Sequence, residues 1–325
     1  MLGQVFHMSD ERVRMLVAAG AASAIAAAFN APIAGVFFAL EIVLGEISSS
    51  ALGLILVASV TSAVLTQALS GNSPAFSIPA YAFNSLWELP LYLVLGLLAG
   101  PVSALYVNLV YQAQDFFEGW KLPRPLKTAF AGLAVGLVGI FLPQVLGVGY
   151  GAIGDVLNKN NLGLWLLLAL LVAKLILTPV SLGGGFMGGV FAPALFIGAT
   201  LGGAFGLVVS SIFPALGTNP SAFALVGMAA VLAGSVHAPL TAVILLFEMT
   251  NDYRIILPLM FAVAVSLVIS QRIQRDSVYA MGLARHGIRL DRGRDVEVMG
   301  AISVGDAMHT GGATLLETMS LSDAA

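Results

Sequence analysis

Residues 20–41, GAASAIAAAFNAPIAGVFFALE, are matched without a gap by residues 227–248, GMAAVLAGSVHAPLTAVILLFE. Each copy opens on a glycine (Gly20, Gly227), carries Asn30 or His237 ahead of an Ala-Pro pair, and closes on an acid, Glu41 or Glu248. This is an internal duplication. Each copy reads as a helix of small residues, a break, and a second short helix started by Pro32 or Pro239. Proline suits a first helical turn, where its missing N–H costs nothing. Small residues let helices approach closely in a bilayer. Asn30 and His237 are expected to cap the second helix of each pair, and Glu41 and Glu248 to end it. Paired half-length helices about two hundred residues apart are the pattern of an inverted-repeat transporter, whose substrate site lies between the halves near the membrane midplane.

Composition points the same way. Hydrophobic residues make up 58% of the chain, charged residues 10%, and mean hydropathy is +0.96. A soluble domain carries about 25% charge, so the chain reads as an all-α, polytopic membrane protein. Apolar stretches at 51–70, 128–142, 162–182 and 254–271 are long enough to span. The run 86–117, interrupted by Pro90 and Pro101, reads as one long tilted helix, and 143–161 as a loop with a short helix. No basic face interleaved with aromatics is present, which argues against nucleic-acid binding. The absence of cysteine excludes a disulfide framework and a thiolate metal site. Asp10 and Glu11 interrupt any signal-peptide pattern, and both ends of the chain read as cuts. Six of the fourteen basic residues fall within 272–294, which places the C-terminus in the cytoplasm.

The candidate site is the stretch 182–206, LGGGFMGGVFAPALFIGATLGGAFG. Glycines at 183, 184, 185, 188 and 189 leave the backbone bare, and Pro193 marks the first turn of an apolar helix. The amides of Gly189, Val190, Phe191 and Ala192 then form a helix N-terminus without intrahelical acceptors. Such an end offers donors and partial positive charge to an anion.

The sequence resembles the CLC family of chloride channels and chloride/proton antiporters. The motifs that carry the resemblance, in family order, are AAAFNAPIAGVFFALE (26–41), LGVGYGAI (146–153), GGVFAP (188–193), GSVHAPLTAVILLFEMTNDY (234–253) and VYAMGLAR (278–285). The resemblance implies a CLC-type inverted-repeat bundle of broken, tilted helices, assembled as a homodimer in membrane lipid with one chloride pathway per subunit. It implies that Gly189, Val190, Phe191 and Ala192 begin the helix whose amides face chloride, with Val190 and Phe191 as donors. It also implies that Tyr279 gives its hydroxyl to the same ion, with no cofactor needed. Amides and a phenol hold a monovalent anion without a fixed full charge, so the ion can also leave.

Two further family motifs, the GSGIP serine loop and the GREGP loop with its gating glutamate, are expected upstream of Met1. In many antiporters an inner glutamate follows the position of Glu41, where this chain has Ile42. An aliphatic residue there is familiar from voltage-gated channels. Glu46, one turn on, is the candidate substitute, so Glu41, Ile42 and Glu46 are the candidate proton-pathway positions. The resemblance divides the chain into a transmembrane domain (1–284), a cytoplasmic linker (285–300) and the opening of a CBS domain (301–325). A complete CBS pair would be a possible adenine-nucleotide site. The implied location is the plasma membrane of a prokaryote. Transport of nitrate or fluoride is the alternative within this class.

Other intramembrane polar groups have plainer readings. Glu41 and Glu248 hold the same place in both repeats, which favours a structural role at a helix end over the functional default for buried acids. Lys174 is expected to snorkel or to pair with an acid. His237 reads as a cap rather than a proton carrier or metal ligand, since no second ligand stands at metal spacing. An intramembrane enzyme using His237 with an acid is the rival class, but no HExxH, GxSxG or paired-aspartate pattern accompanies it.

Overall fold

The computed structural model describes residues 8–46, 49–71, 88–158 and 162–285. The linker beyond 285 and the expected CBS opening at 301–325 lie outside the described residues. Among the described residues the structure is helical, with no strand. The first repeat supplies α1 (Asp10–Phe29) and α2 (Pro32–Phe38), and α2 runs on as a π-helical segment, Ala39–Leu44, ended by Gly45 at φ 74°. Then come α3 (Ser49–Ser70), α4 (Leu89–Glu118), α5 (Arg124–Phe141), α6 (Tyr150–Leu157), α7 (Leu164–Gly183) and α8 (Phe191–Ile212). The second repeat supplies α9 (Pro220–Val236) and α10 (Pro239–Thr250), followed by α11 (Ile256–Ile273) and α12 (Val278–Arg285). Seven segments among the described residues are long and apolar enough to cross a membrane. The long helix expected at 86–117 is α4, which accommodates Pro101.

The core is built on α9, whose residues from Ser221 to Val236 are all buried. Glycine lets α8 lie against it backbone to backbone. A Cβ on Gly198 would fall 2.3 Å from the Gly227 carbonyl oxygen, and one on Gly202 would fall 2.0 Å from that of Phe223. Serine hydroxyls tie the neighbouring helices to the same element. Ser103 on α4 donates to the Val231 carbonyl at 3.1 Å, and Ser266 and Ser270 on α11 donate to Ala230 and Gly234 at 2.7 and 2.6 Å. A membrane bundle gains little from apolar burial against lipid, and these close contacts and hydroxyl bonds supply the packing that replaces it.

The two repeats share the same backbone conformation at the break between their helices. Asn30 and His237 are both left-handed, at φ/ψ 53/39° and 59/38°, and Ala31 and Ala238 follow at −129/76° and −126/81°. Asn30 and His237 therefore end the first helix of each pair and do not cap the second, correcting the expectation from sequence. The Asn30 side-chain oxygen instead accepts from Gln67 on α3 at 2.7 Å.

The amides that start α2 and α10 are satisfied across the repeat. Glu41 accepts from the N–H groups of Leu240 and Thr241 at 3.0 and 2.7 Å and from the Thr241 hydroxyl at 2.6 Å. Glu248 accepts from the N–H groups of Ile33 and Ala34 at 2.9 and 2.7 Å. Each acid caps the helix of the other repeat, where a carboxylate meets orphan amides and the positive end of the helix dipole. Glu41 stands inside the π segment, and Glu248 lies two residues before the end of α10. Replacing either glutamate with alanine should therefore cost about 2 kcal/mol of stability, and glutamine about half that. Unfolding of the detergent-solubilised protein would measure it, and unchanged stability in both alanine variants would contradict the capping role.

Candidate anion site

The glycine-rich loop leaves α7 through Gly185 at φ 96° and enters α8 at Phe191. Val190 is the N-cap, and its carbonyl accepts the first helical bond, from Ala194, at 3.2 Å. Pro193 has no N–H to give. The amides of Gly189, Val190, Phe191 and Ala192 donate to no acceptor among the described residues, so this helix end keeps its donors for something else. At α2 and α10, by contrast, the equivalent amides are consumed by Glu248 and Glu41. The starts of α2 and α10 are thus capped by carboxylates of the opposite repeat, and that of α8 is left open among the described residues.

Aromatic rings assemble the surroundings. Phe191 packs against Phe29 at the end of α1 and Phe38 at the end of α2, with ring centroids 5.5 and 5.7 Å apart. Phe38 meets Tyr279 of α12 edge-on at 6.3 Å, and Phe29 meets Tyr150 of α6 at 6.3 Å. The last turns of α1 and α2 therefore bring α8 and α12, distant in sequence, to one place, with Phe38 touching both candidate ligands. Edge-to-face geometry places positive ring edges on negative faces. Phe38 carries no sequence signal of its own, being one apolar residue in FFALE. Its partner in the contact is what reveals it.

A cavity of about 660 Å³ adjoins this helix end, lined by Gly188, Gly189, Phe191 and Ala192 and by Lys174, Tyr150 and Thr178. Lys174 is 4% exposed and neither snorkels nor pairs with an acid among the described residues, which corrects the sequence reading. Its ammonium donates to the carbonyls of Val145 and Gly147 at 2.8 and 2.7 Å and sits 5.0 Å from the Phe196 ring centroid. It thereby anchors the LGVGYG loop, whose Gly147 and Gly149 have φ of 62 and 80°, and leaves a positive charge in the cavity wall.

The candidate proton-pathway positions fall apart from one another in role. Glu41 is the cap described above, Ile42 packs against the main core, and Glu46 is exposed beyond Gly45. His237 is buried at a helix end, and no cluster of three or more His, Cys, Asp or Glu suited to a metal occurs among the described residues.

Comparison with known proteins places this arrangement. The family model described as voltage gated chloride channel matches residues 1–271. The chain belongs to the voltage-gated chloride channel family. It is 40% identical over 291 residues to the chloride channel protein named ClcB-like of Ralstonia nicotianae, covering 88% of this chain and 67% of that protein. It is 34% identical over 292 residues to the H⁺/Cl⁻ exchange transporter ClcA of Vibrio cholerae, covering 88% and 62%. Its fold matches the crystal structure of a slow cyanobacterial Cl⁻/H⁺ antiporter with a TM-score of 0.77 at 30% identity, covering 87% of this chain and 67% of the other. The chain thus spans about two thirds of the length of these relatives, and it is a multi-pass integral membrane protein of this family.

Loss of the Lys174 ammonium should free the loop that it anchors. In Lys174→Met, hydrogen exchange at the amides of residues 145–149 should quicken about tenfold. Unchanged exchange there would show that the loop holds itself.

Proposed function

We propose that the protein containing this chain carries chloride across the membrane, and that the ion is held by the Val190 and Phe191 amides at the start of α8 and by the Tyr279 hydroxyl. One observation carries the reading: Glu248 and Glu41 cap the amides that start α2 and α10, whereas the amides of Gly189, Val190, Phe191 and Ala192 at the start of α8 donate to no acceptor among the described residues. The Phe38 ring, which contacts both Phe191 and Tyr279, supports placing the Tyr279 phenol at the same site. Partial charges aimed at a dehydrated anion suit passage better than a full charge would, because binding must be favourable enough to enter and weak enough to leave. Gly189 and Ala192 extend the same donor surface. Nitrate and fluoride fit the same chemistry and are separated by measurement.

Uncoupled conduction is favoured by position 42. Ile42 cannot carry a proton, and the neighbouring Glu41 is committed to Leu240 and Thr241. Exchange for protons is favoured by the likeness to ClcA, which is named an exchange transporter. Homodimeric assembly, a cytoplasmic C-terminus, residence in a prokaryotic plasma membrane and adenine-nucleotide binding by a C-terminal CBS pair follow from the resemblance and the basic residues at 272–294.

Full-length protein in liposomes, with chloride efflux and external pH recorded together, tests both levels. Chloride efflux without chloride-driven proton uptake is the expected result, and Ile42→Glu should leave chloride efflux in place. No chloride efflux from folded protein would contradict the transport reading. Robust proton uptake by the unmodified protein would contradict uncoupled conduction.

A further inference from the structure

Two tyrosines on α4, five residues apart, reach the two walls of the proposed site in the same way. Tyr106 is fully buried, and its hydroxyl donates to the Val190 carbonyl at 3.1 Å. Tyr111 donates its hydroxyl to the Val278 carbonyl. Val190 immediately precedes Phe191, and Val278 immediately precedes Tyr279. Each tyrosine therefore grips the peptide unit that leads into a proposed chloride ligand.

The geometry of that unit gives the grip a consequence. In a planar trans peptide the carbonyl of one residue and the N–H of the next are fixed in opposite directions. Holding the Val190 oxygen sets the direction of the Phe191 N–H, which points back off the start of α8. The Val190 oxygen already accepts from Ala194, and the Tyr106 hydroxyl fills its second acceptor position. At the other wall, the Val278 bond fixes the first residue of α12 and with it the root of the Tyr279 side chain. The other end of α12 is fastened to α4 as well. The Arg285 guanidinium lies 4.7 Å from the Tyr111 ring centroid and makes a two-pronged pair with Asp115 at 2.5 and 2.8 Å. Gly282 lies close against the Tyr111 hydroxyl, where an added Cβ would stand 3.1 Å from it. Beside the shared ring contact of Phe38, these bonds refer the amide wall and the phenol wall to one helix, α4, although they come from helices nearly ninety residues apart in sequence.

We propose that Tyr106 and Tyr111 are paired positioning residues that hold the Phe191 amide and the Tyr279 hydroxyl in register for one anion. Neither touches the ion in this scheme, and the proposal rests on the chloride reading above. It predicts a loss of affinity without a loss of fold.

The test uses full-length protein, with chloride binding by calorimetry and the chloride dependence of flux in liposomes. Tyr106→Phe and Tyr111→Phe remove only the hydroxyls. Each should raise the dissociation constant and the KM for chloride about three- to tenfold while maximal flux stays within about twofold. Ser103→Ala, which removes another buried hydroxyl from the same helix, should leave both values unchanged. Wild-type affinity in both phenylalanine variants would overturn the proposal. Absence of chloride binding by the parent protein would instead overturn the transport reading. Met at either position serves where Phe fails to fold, with the same expected shift. Failure of both replacements to fold would assign the hydroxyls to the core alone and also overturn the proposal.

Discussion

The exchange of glutamates between the two repeats is the constraint on which the rest of the structure depends. A helix that starts inside a membrane has several amides with no water to satisfy them, and leaving them bare costs several kcal/mol. Glu41 and Glu248 remove that cost for α10 and α2 across the repeat boundary, with partners 199 to 215 residues away in sequence. Neither repeat can complete its own second helix. The broken helix pairs are therefore stable only as a pair of pairs, and their registry fixes Phe29 and Phe38 at the ends of α1 and α2. Those rings in turn seat Phe191 and Tyr279.

Against that background the start of α8 stands out by what it lacks. It too carries a proline in its first turn, at the third position where α2 and α10 have theirs at the first, but no carboxylate comes to it among the described residues. An acid in that position would compete with an anion for the same amides. In the proposed site the open helix end and the neutral phenol offer only partial charges to the ion, while Lys174 lies in the wall of the cavity that adjoins the helix end. Such an arrangement attracts a monovalent anion and still permits its release.

Much of this was legible in the chain because its signals are local. Proline after Asn-Ala or His-Ala, glycine at close contacts and the apolar run lengths gave the helix breaks, the duplication and the GGVFAP start nearly to the residue. What was not legible depends on long-range pairing. The sequence places Glu41 at the end of a helix but cannot say that its carboxylate serves the beginning of another. It shows Asn30 and His237 beside a proline, and only the backbone angles show that they close the preceding helix. Lys174 reads as a snorkelling or paired cation because its acceptors are backbone carbonyls, which every residue has. Tyr106 and Tyr111 look like two aromatics in an apolar helix for the same reason.

The central claim is that one anion sits between the α8 amides and Tyr279, and its most direct test is a crystal of the full-length protein grown in bromide. Anomalous scattering should show a single strong bromide peak within hydrogen-bonding distance of the Val190 and Phe191 nitrogens and the Tyr279 hydroxyl. A well-ordered structure with no peak at that position, or with bromide bound only elsewhere, would contradict the account.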